Sequence, residues 1–175
     1  KNLKLILKDQ SNLYNIKANY IFNKLIKSEF NKKYKIINDE MIKDVIIISK
    51  NLSLNKLRDI YSITNCYVSP YMAEGFNMTP LEAAGCGTQI AVTKGGSTDD
   101  YFNECMGYQI ESDERKVNDD SLVNPKLDSL VEILKQIIDK TDVSKLTRSK
   151  YVHKNFSWEN IAKKLKKEFE KKLSK

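Results

Sequence analysis

The chain has 175 residues, of which 41% are hydrophobic and 30% charged, with a formal net charge of +7. That length suits one domain with a proper core and falls short of two comfortable ones, and no apolar run approaches the ~20 residues that span a bilayer. The charge is local: from Lys145 to Lys175 eleven Lys/Arg stand against three acids, so the basic character belongs to the C-terminal tail. Cys66, Cys86 and Cys105 are odd in number and widely spaced, which argues against a disulfide framework or a zinc site and fits a reducing, cytoplasmic compartment. The chain opens at Lys1 rather than at a methionine, the start expected of an excised segment.

Leu3 to Leu7 reads as a short strand stopped by Lys8-Asp9. Ser11 then caps a predicted helix to about Lys32, with Leu13, Ile16, Tyr20, Leu25 and Ile26 on one face. Val45 to Ile48 is a continuous β-branched run, as expected of a parallel strand covered on both faces. Ser53 caps a helix with Leu54, Leu57, Ile60 and Tyr61 inward. A strand from Cys66 leads into a turn and a short helix ended by the glycines at 85 and 87; Gln89 to Thr93 and Tyr108 to Ile110 are further strands. After a polar stretch from Ser112 to Asn124, Pro125 starts a helix carrying Leu127, Leu130, Val131, Leu134, Ile137 and Ile138. Another helix spans about Asp142 to Lys154, and Ser157 caps a last one striped by Trp158, Ile161, Leu165 and Phe169. Alternating strands and helices predict an α/β, Rossmann-like open and mostly parallel sheet with helices on both faces, in one domain over 1–175 closed by the helix at 156–173. Ligands of such sheets sit beyond the carboxyl ends of the strands, where the turn after Cys66–Ser69 falls.

That turn, Glu74-Gly75-Phe76-Asn77-Met78-Thr79-Pro80-Leu81-Glu82, holds two carboxylates at the start of a helix. Thr79-Pro80-Leu81-Glu82 reads by itself as a capping box, Glu74 as a solvated loop acid and Gly75 as a turn residue with positive φ. The same geometry has a chemical use. Unpaired N–H groups at a helix start attract a diphosphate, Gly75 lets backbone approach closely, and a carboxylate accepts charge-assisted hydrogen bonds from vicinal sugar hydroxyls. Two carboxylates flanking a phosphate-suited turn fit a nucleotide-sugar.

Pro70 through Gly87, followed by Gln89-Ile90-Ala91-Val92-Thr93-Lys94-Gly95-Gly96, resembles the donor-binding signature of the retaining GT-B glycosyltransferases, family 4-like, with its Glu-x7-Glu motif in the setting E-G-F-x-x-x-P-x-E-A-x-A-x-G. Phe156-Ser157-Trp158-Glu159 is similar to that family's closing F-S-W motif. The resemblance implies that Glu74 meets hydroxyls of the transferred sugar near the reacting carbon, and that backbone N–H groups of Phe76, Asn77, Met78 and Thr79 hold that sugar and the distal phosphate. It implies ribose binding by Glu82 and a base beside Asn51 and Leu52. It further implies a front-face displacement with retention, needing no metal and no cofactor beyond the nucleotide-diphosphate sugar as co-substrate. The chain would be the C-terminal, donor-binding half of a GT-B fold, with the N-terminal acceptor domain absent. The family's first strand and loop, which carry an Arg and a Lys for the diphosphate, are expected to be missing or to lie upstream of Lys1; Lys8, or Lys94, would substitute in part, against the plainer reading of solvated lysines. A nucleotide- or sugar-binding module without catalysis is the alternative on the same fold.

Thr98-Asp99-Asp100 after the glycine pair reads first as a cap with acids complementing a helix dipole and second as a contact to the donor sugar, His153 as a surface residue, and the cysteines as small core residues. The basic last helix reads first as a closing helix with its stripe packed, and second as a peripheral membrane contact. Nucleic acid is not an expected partner, because the tail lacks interleaved aromatic residues.

Overall fold

The structure, a computed structural model, describes residues 3–9, 18–34, 37–117, 120–142 and 144–173. It contains two compact units, Lys1–Ser53 and Leu54–Lys175.

In the first unit β1 (Leu5–Lys8) pairs in parallel with β2 (Val45–Ile48), Leu5 opposite Val45 and Lys8 opposite Ile48. Among the described residues three helices lie between them in sequence: α1 (Ala18–Ile26), α2 (Glu29–Tyr34) and α3 (Asp39–Lys43). The single helix expected to run to Lys32 is therefore two. Ser28 makes the break: its hydroxyl donates to the Leu25 carbonyl at 2.6 Å and accepts from the Asn31 N–H at 3.1 Å, ending one helix and capping the next. Buried Asn31 ties α2 to its flanks, donating to the Ile26 and Ile37 carbonyls and accepting from the Ile37 N–H at 2.7 Å. The expected cap Ser11 and the face residues Leu13 and Ile16 lie outside the described residues. Val45–Ile48 is a strand as expected, in a two-stranded sheet among the described residues, and its Ile46 is exposed.

The second unit is built on a three-stranded parallel sheet in the order β3 (Cys66–Ser69), β4 (Gln89–Thr93), β5 (Gly107–Ile110). Side chains of the central strand alternate between two cores. Ile90 and Val92 pack with Tyr61 of α4 (Leu54–Ile63), Ala83 and Ala84 of α5 (Met78–Gly85), and Val152 of α7 (Lys145–Phe156). Ala91 faces the other way, with Ile110 and with Ile133 and Ile137 of α6 (Leu127–Asp139). Burying each Ile or Val contributes about 1.5–3 kcal/mol, so β4 is the energetic centre of the unit.

Two features position α5. Its C-terminus closes in a Schellman arrangement, Thr88 N–H to Ala83 O at 3.0 Å and Gly87 N–H to Ala84 O at 2.9 Å. Helix α7 then stitches onto that end. Ser149 Oγ donates to Gly85 O at 2.7 Å, and the Arg148 guanidinium donates to Gly87 O and to both Asp142 carboxylate oxygens, each at 3.1 Å. Arg148 and Asp142 are almost wholly buried. Burial by itself would raise the Asp142 carboxyl, but hydrogen bonds from Arg148 and the Ser144 N–H outweigh it and hold it below the usual carboxylate range.

The polar stretch expected between Ser112 and Asn124 is instead an antiparallel pair, β6 (Ser112–Val117) and β7 (Asp120–Pro125). Long-range bonds fix it: Ser112 Oγ to Lys94 O at 2.6 Å, Val123 N–H to Met72 O at 3.0 Å, and Lys126 N–H to Glu111 O at 2.7 Å. Pro125 accordingly ends a strand, and α6 begins two residues later. Ser157 caps α8 (Trp158–Leu173) as expected, accepting from the Asn160 N–H at 3.4 Å. The apolar stripe of α8 is not packed: none of its residues is buried. Among the described residues no helix is long and apolar enough to cross a membrane.

Candidate functional site

Strand β3 ends at Ser69, and the chain turns through residues 70–77 before α5. Tyr71 anchors the turn: its hydroxyl donates to Thr93 O at 3.2 Å, accepts from the Thr98 N–H at 3.0 Å, and lies 2.8 Å from Thr98 Oγ1. Thr93 Oγ1 returns a bond to Tyr71 O at 2.8 Å. Any side chain at Gly96 would collide with this group, since a Cβ there falls 2.6 Å from the Tyr71 oxygen. The glycine pair after β4 is thus shaped around Tyr71.

Asn77 starts the helix in the left-handed region, with φ 57° and ψ 68°. Its amide reaches away from the helix, donating to Ser69 Oγ at 2.9 Å, and its carbonyl accepts from the Tyr101 hydroxyl at 2.7 Å. The Phe76 ring stands 5.2 Å from that of Tyr101. Burial raises the Tyr101 phenol well above its ordinary range, with the charges of Tyr71, Tyr67 and Glu74 adding, so it remains a donor at neutral pH.

The expected capping box does not form. Helix α5 begins at Met78, so Thr79 lies inside the first turn, where its hydroxyl accepts from Tyr67 OH at 2.9 Å and donates to Asn77 Oδ1 at 3.3 Å. Pro80, fully buried, occupies the third helical position, where a missing N–H costs nothing. Glu82 is exposed and does not fold back on the cap; its carboxylate accepts from Tyr61 OH at 3.4 Å. No side chain caps α5, and no described residue accepts from the backbone N–H of Phe76, Met78 or Thr79. Glu74 is exposed and makes no hydrogen bond or ion pair with a described residue. Gly75 does not have the positive φ expected of it, and a Cβ there would meet nothing within 4 Å. Its small size is not required by the fold.

The turn therefore collects Glu74, Gly75, Phe76, Asn77, Met78, Thr79 and Glu82 on one uncapped helix start. Lys8, Asn51 and Leu52 belong to the first unit: Lys8 ends β1 and donates to the Asp9 carbonyl, and Asn51 and Leu52 come after the end of β2. Asp99 is engaged within the fold, accepting from the Gly95 N–H at 2.9 Å and from Gln109 Nε2 at 2.7 Å, as a capping acid does. Lys94 pairs with Glu111 at 3.0 Å. Burial pushes the Cys66 thiol up to about 12 and also raises Cys86 and Cys105, so all three remain thiols near neutrality. Among the described residues no three His, Cys, Asp or Glu side chains converge as a metal set. Sequence reasoning missed the frame of the turn: Tyr67, Ser69, Tyr71 and Tyr101. No local pattern marks these residues, because each acts on a partner from 8 to 27 positions away.

Residues 1–123 match the family model described as "Glycosyl transferases group 1". The chain belongs to the group 1 glycosyltransferases. Its fold is that of GT-B enzymes: it is similar to sucrose-phosphate synthase from Thermosynechococcus elongatus (TM-score 0.67, 17% identity, 98% of this chain and 39% of that one). A glycosyltransferase from Rickettsia africae matches at TM-score 0.67 and 15% identity, over 99% and 41% of the two chains. The pneumococcal O-GlcNAc transferase GtfA, solved with UDP and GlcNAc, matches at TM-score 0.53 and 18% identity, over 100% and 37%. This group 1 glycosyltransferase chain thus spans about two fifths of the length of the solved chains it matches. No curated protein sequence matches it.

Proposed function

We propose that this group 1 glycosyltransferase chain binds a nucleotide-diphosphate sugar at the turn from Glu74 to Glu82, as the donor half of a retaining, family 4-like transferase. The observation that carries the reading is the uncapped start of α5. Its first N–H groups lack acceptors among the described residues, and Glu82, the residue best placed to cap them, points elsewhere. A diphosphate supplies the missing acceptors and the negative charge that a helix N-terminus favours. Glu82 then accepts from the nucleoside ribose and Glu74 from hydroxyls of the transferred sugar. Backbone N–H groups of Phe76 to Thr79 hold the sugar and the distal phosphate. The pneumococcal protein that shares this fold was solved with UDP and GlcNAc, a pairing of the same chemical class.

In the reaction this supports, the acceptor hydroxyl attacks the anomeric carbon on the face the diphosphate leaves. The C–O bond to phosphate breaks as the new glycosidic bond forms, and a departing phosphate oxygen takes the acceptor proton. The chain's part is positioning, and stabilising the charge that develops on the leaving group. The acceptor and its site belong to a further domain in this reading, so the chain alone binds donor and transfers little or none. A thermal-shift panel of nucleoside diphosphates and nucleotide-sugars tests the assignment. Stabilisation confined to one nucleobase, reduced in Glu82→Ala, supports it; no stabilisation by any member at millimolar concentration refutes it.

A further inference from the structure

Helix α5 starts at an asparagine that does not cap it. Asparagine is among the preferred N-cap residues, because its side-chain oxygen accepts from the N–H two or three positions on. Elsewhere among the described residues Asn38 and Asn103 do this from extended backbone. Asn38, at φ −115° and ψ 172°, accepts from the Met41 N–H at 2.9 Å ahead of α3. Asn103, at φ −140° and ψ 142°, accepts from the Cys105 N–H at 3.0 Å ahead of the single turn Glu104–Met106. Asn77 stands in the left-handed region instead and makes no side-chain cap bond.

Its neighbours account for the difference. Asn77 Nδ2 donates at 2.9 Å to Ser69 Oγ, at the end of β3. Its Oδ1 accepts from the Thr79 hydroxyl at 3.3 Å, and that hydroxyl is held in turn by Tyr67 OH at 2.9 Å. The Tyr101 hydroxyl pins the Asn77 carbonyl at 2.7 Å, and with it ψ. Pro80 stands where Asn38 finds Met41, three positions on, and has no N–H to offer. The Thr79 N–H, two positions on as Cys105 is from Asn103, has no acceptor among the described residues. The left-handed region is disfavoured for an L-residue, so Asn77 stays there because these bonds hold it.

We infer that Ser69 and Tyr101 hold Asn77 off the cap of its own helix, making Asn77 a positioning residue that keeps the Thr79 N–H unpaired. The use of that N–H for a diphosphate rests on the proposed function; the hold itself does not. Releasing both bonds lets Asn77 return to extended backbone and accept from the Thr79 N–H, as Asn103 does from Cys105.

Amide exchange followed by NMR tests this on the ligand-free chain, in wild type, in Ser69→Ala/Tyr101→Phe, and in that double variant with Asn77→Gly added. The Thr79 N–H is expected to exchange about tenfold more slowly in the double variant. Exchange becomes fast again with Asn77→Gly, since glycine adopts positive φ freely and has no side chain to cap with. A turn that had merely loosened gives faster or unchanged exchange. Titration of a nucleoside diphosphate into the same proteins is expected to show a Kd about tenfold weaker in the double variant, restored by Asn77→Gly. Ser69→Ala alone serves in the same way if the double variant does not fold. Unslowed Thr79 exchange, protection that survives Asn77→Gly, or a protected Thr79 with undiminished diphosphate affinity each overturns the inference. A wild type that binds no diphosphate refutes the proposed function instead, and the exchange result still decides whether Asn77 is held off the cap.

Discussion

Gly75→Ala separates the fold from the site, because the two respond with opposite sign. The position lacks positive φ and a Cβ would find nothing within 4 Å, so the methyl group neither strains the backbone nor collides with protein. Removing the glycine's freedom in the unfolded chain then stabilises the protein without ligand by about 0.4–1 kcal/mol. For a chain of this size that raises Tm by about 1–4 °C. In the proposed function the same methyl group stands where a donor approaches the backbone. With ligand at about a hundred times its Kd, the wild type gains about 2.7 kcal/mol; a hundredfold loss of affinity cuts that gain to about 0.4 kcal/mol. Differential scanning fluorimetry with and without nucleotide-sugar reads both effects on one instrument. The expected pattern is a higher baseline Tm with the ligand-induced shift largely gone. A Gly75→Ala protein that melts lower without ligand, or keeps the full ligand shift, refutes the reasoning.

Tyr101→Phe removes the donor to the Asn77 carbonyl and keeps the ring against Phe76; the expected cost is about 1 kcal/mol in urea unfolding, with weaker donor binding as the left-handed turn loosens. Asp142→Asn leaves a buried guanidinium without its carboxylate, and denaturant titration should show a loss of about 3–5 kcal/mol. The pH dependence comes from the sign of the shift. The Asp142 carboxyl is lowered in the folded state, so its stabilisation is complete above the ordinary carboxylate range and is lost as pH falls through the folded value. The wild type should therefore lose stability on acidification below about pH 4 more steeply than Asp142→Asn does, as read from urea midpoints across pH.

Much of the second unit was legible in sequence because its strands are short apolar runs and its helices have apolar faces. Cys66–Ser69, Gln89–Thr93 and the helix from Leu54 fall where periodicity puts them. The hairpin at Ser112–Pro125 was not legible, because Ser-Asp-Glu-Arg-Lys carries no apolar alternation. Its strands are specified by bonds to Lys94, Met72 and Glu111, from distant or flanking parts of the chain. The break at Ser28 hides in the same way, since its side chain works as a cap inside an otherwise helical pattern. At the site, the sequence marks which residues line the turn but misassigns how the helix starts. Thr79-Pro80-Leu81-Glu82 has capping-box spelling, yet Tyr67 takes the Thr79 hydroxyl and Tyr61 the Glu82 carboxylate. The two tyrosines that decide the matter are 12 and 21 positions away from the groups they hold. In the first unit, Lys8, Asn51 and Leu52 stand at or just past strand ends as expected, and their contacts with a donor remain a proposal for mutation to test.

In the proposed function two carboxylates on one uncapped helix start hold the two sugars of a nucleotide-diphosphate sugar. Calorimetric titration of a nucleoside diphosphate and of its sugar conjugate into wild type, Glu82→Gln and Glu74→Gln tests it most directly. A charge-assisted hydrogen bond contributes about 1.5–3 kcal/mol, which is a tenfold to hundredfold change in Kd. The account predicts that Glu82→Gln weakens both ligands by about that factor. Glu74→Gln should erase only the extra affinity of the sugar conjugate. Equal Kd values across all three proteins, or losses that merely track unfolding midpoints, would contradict it.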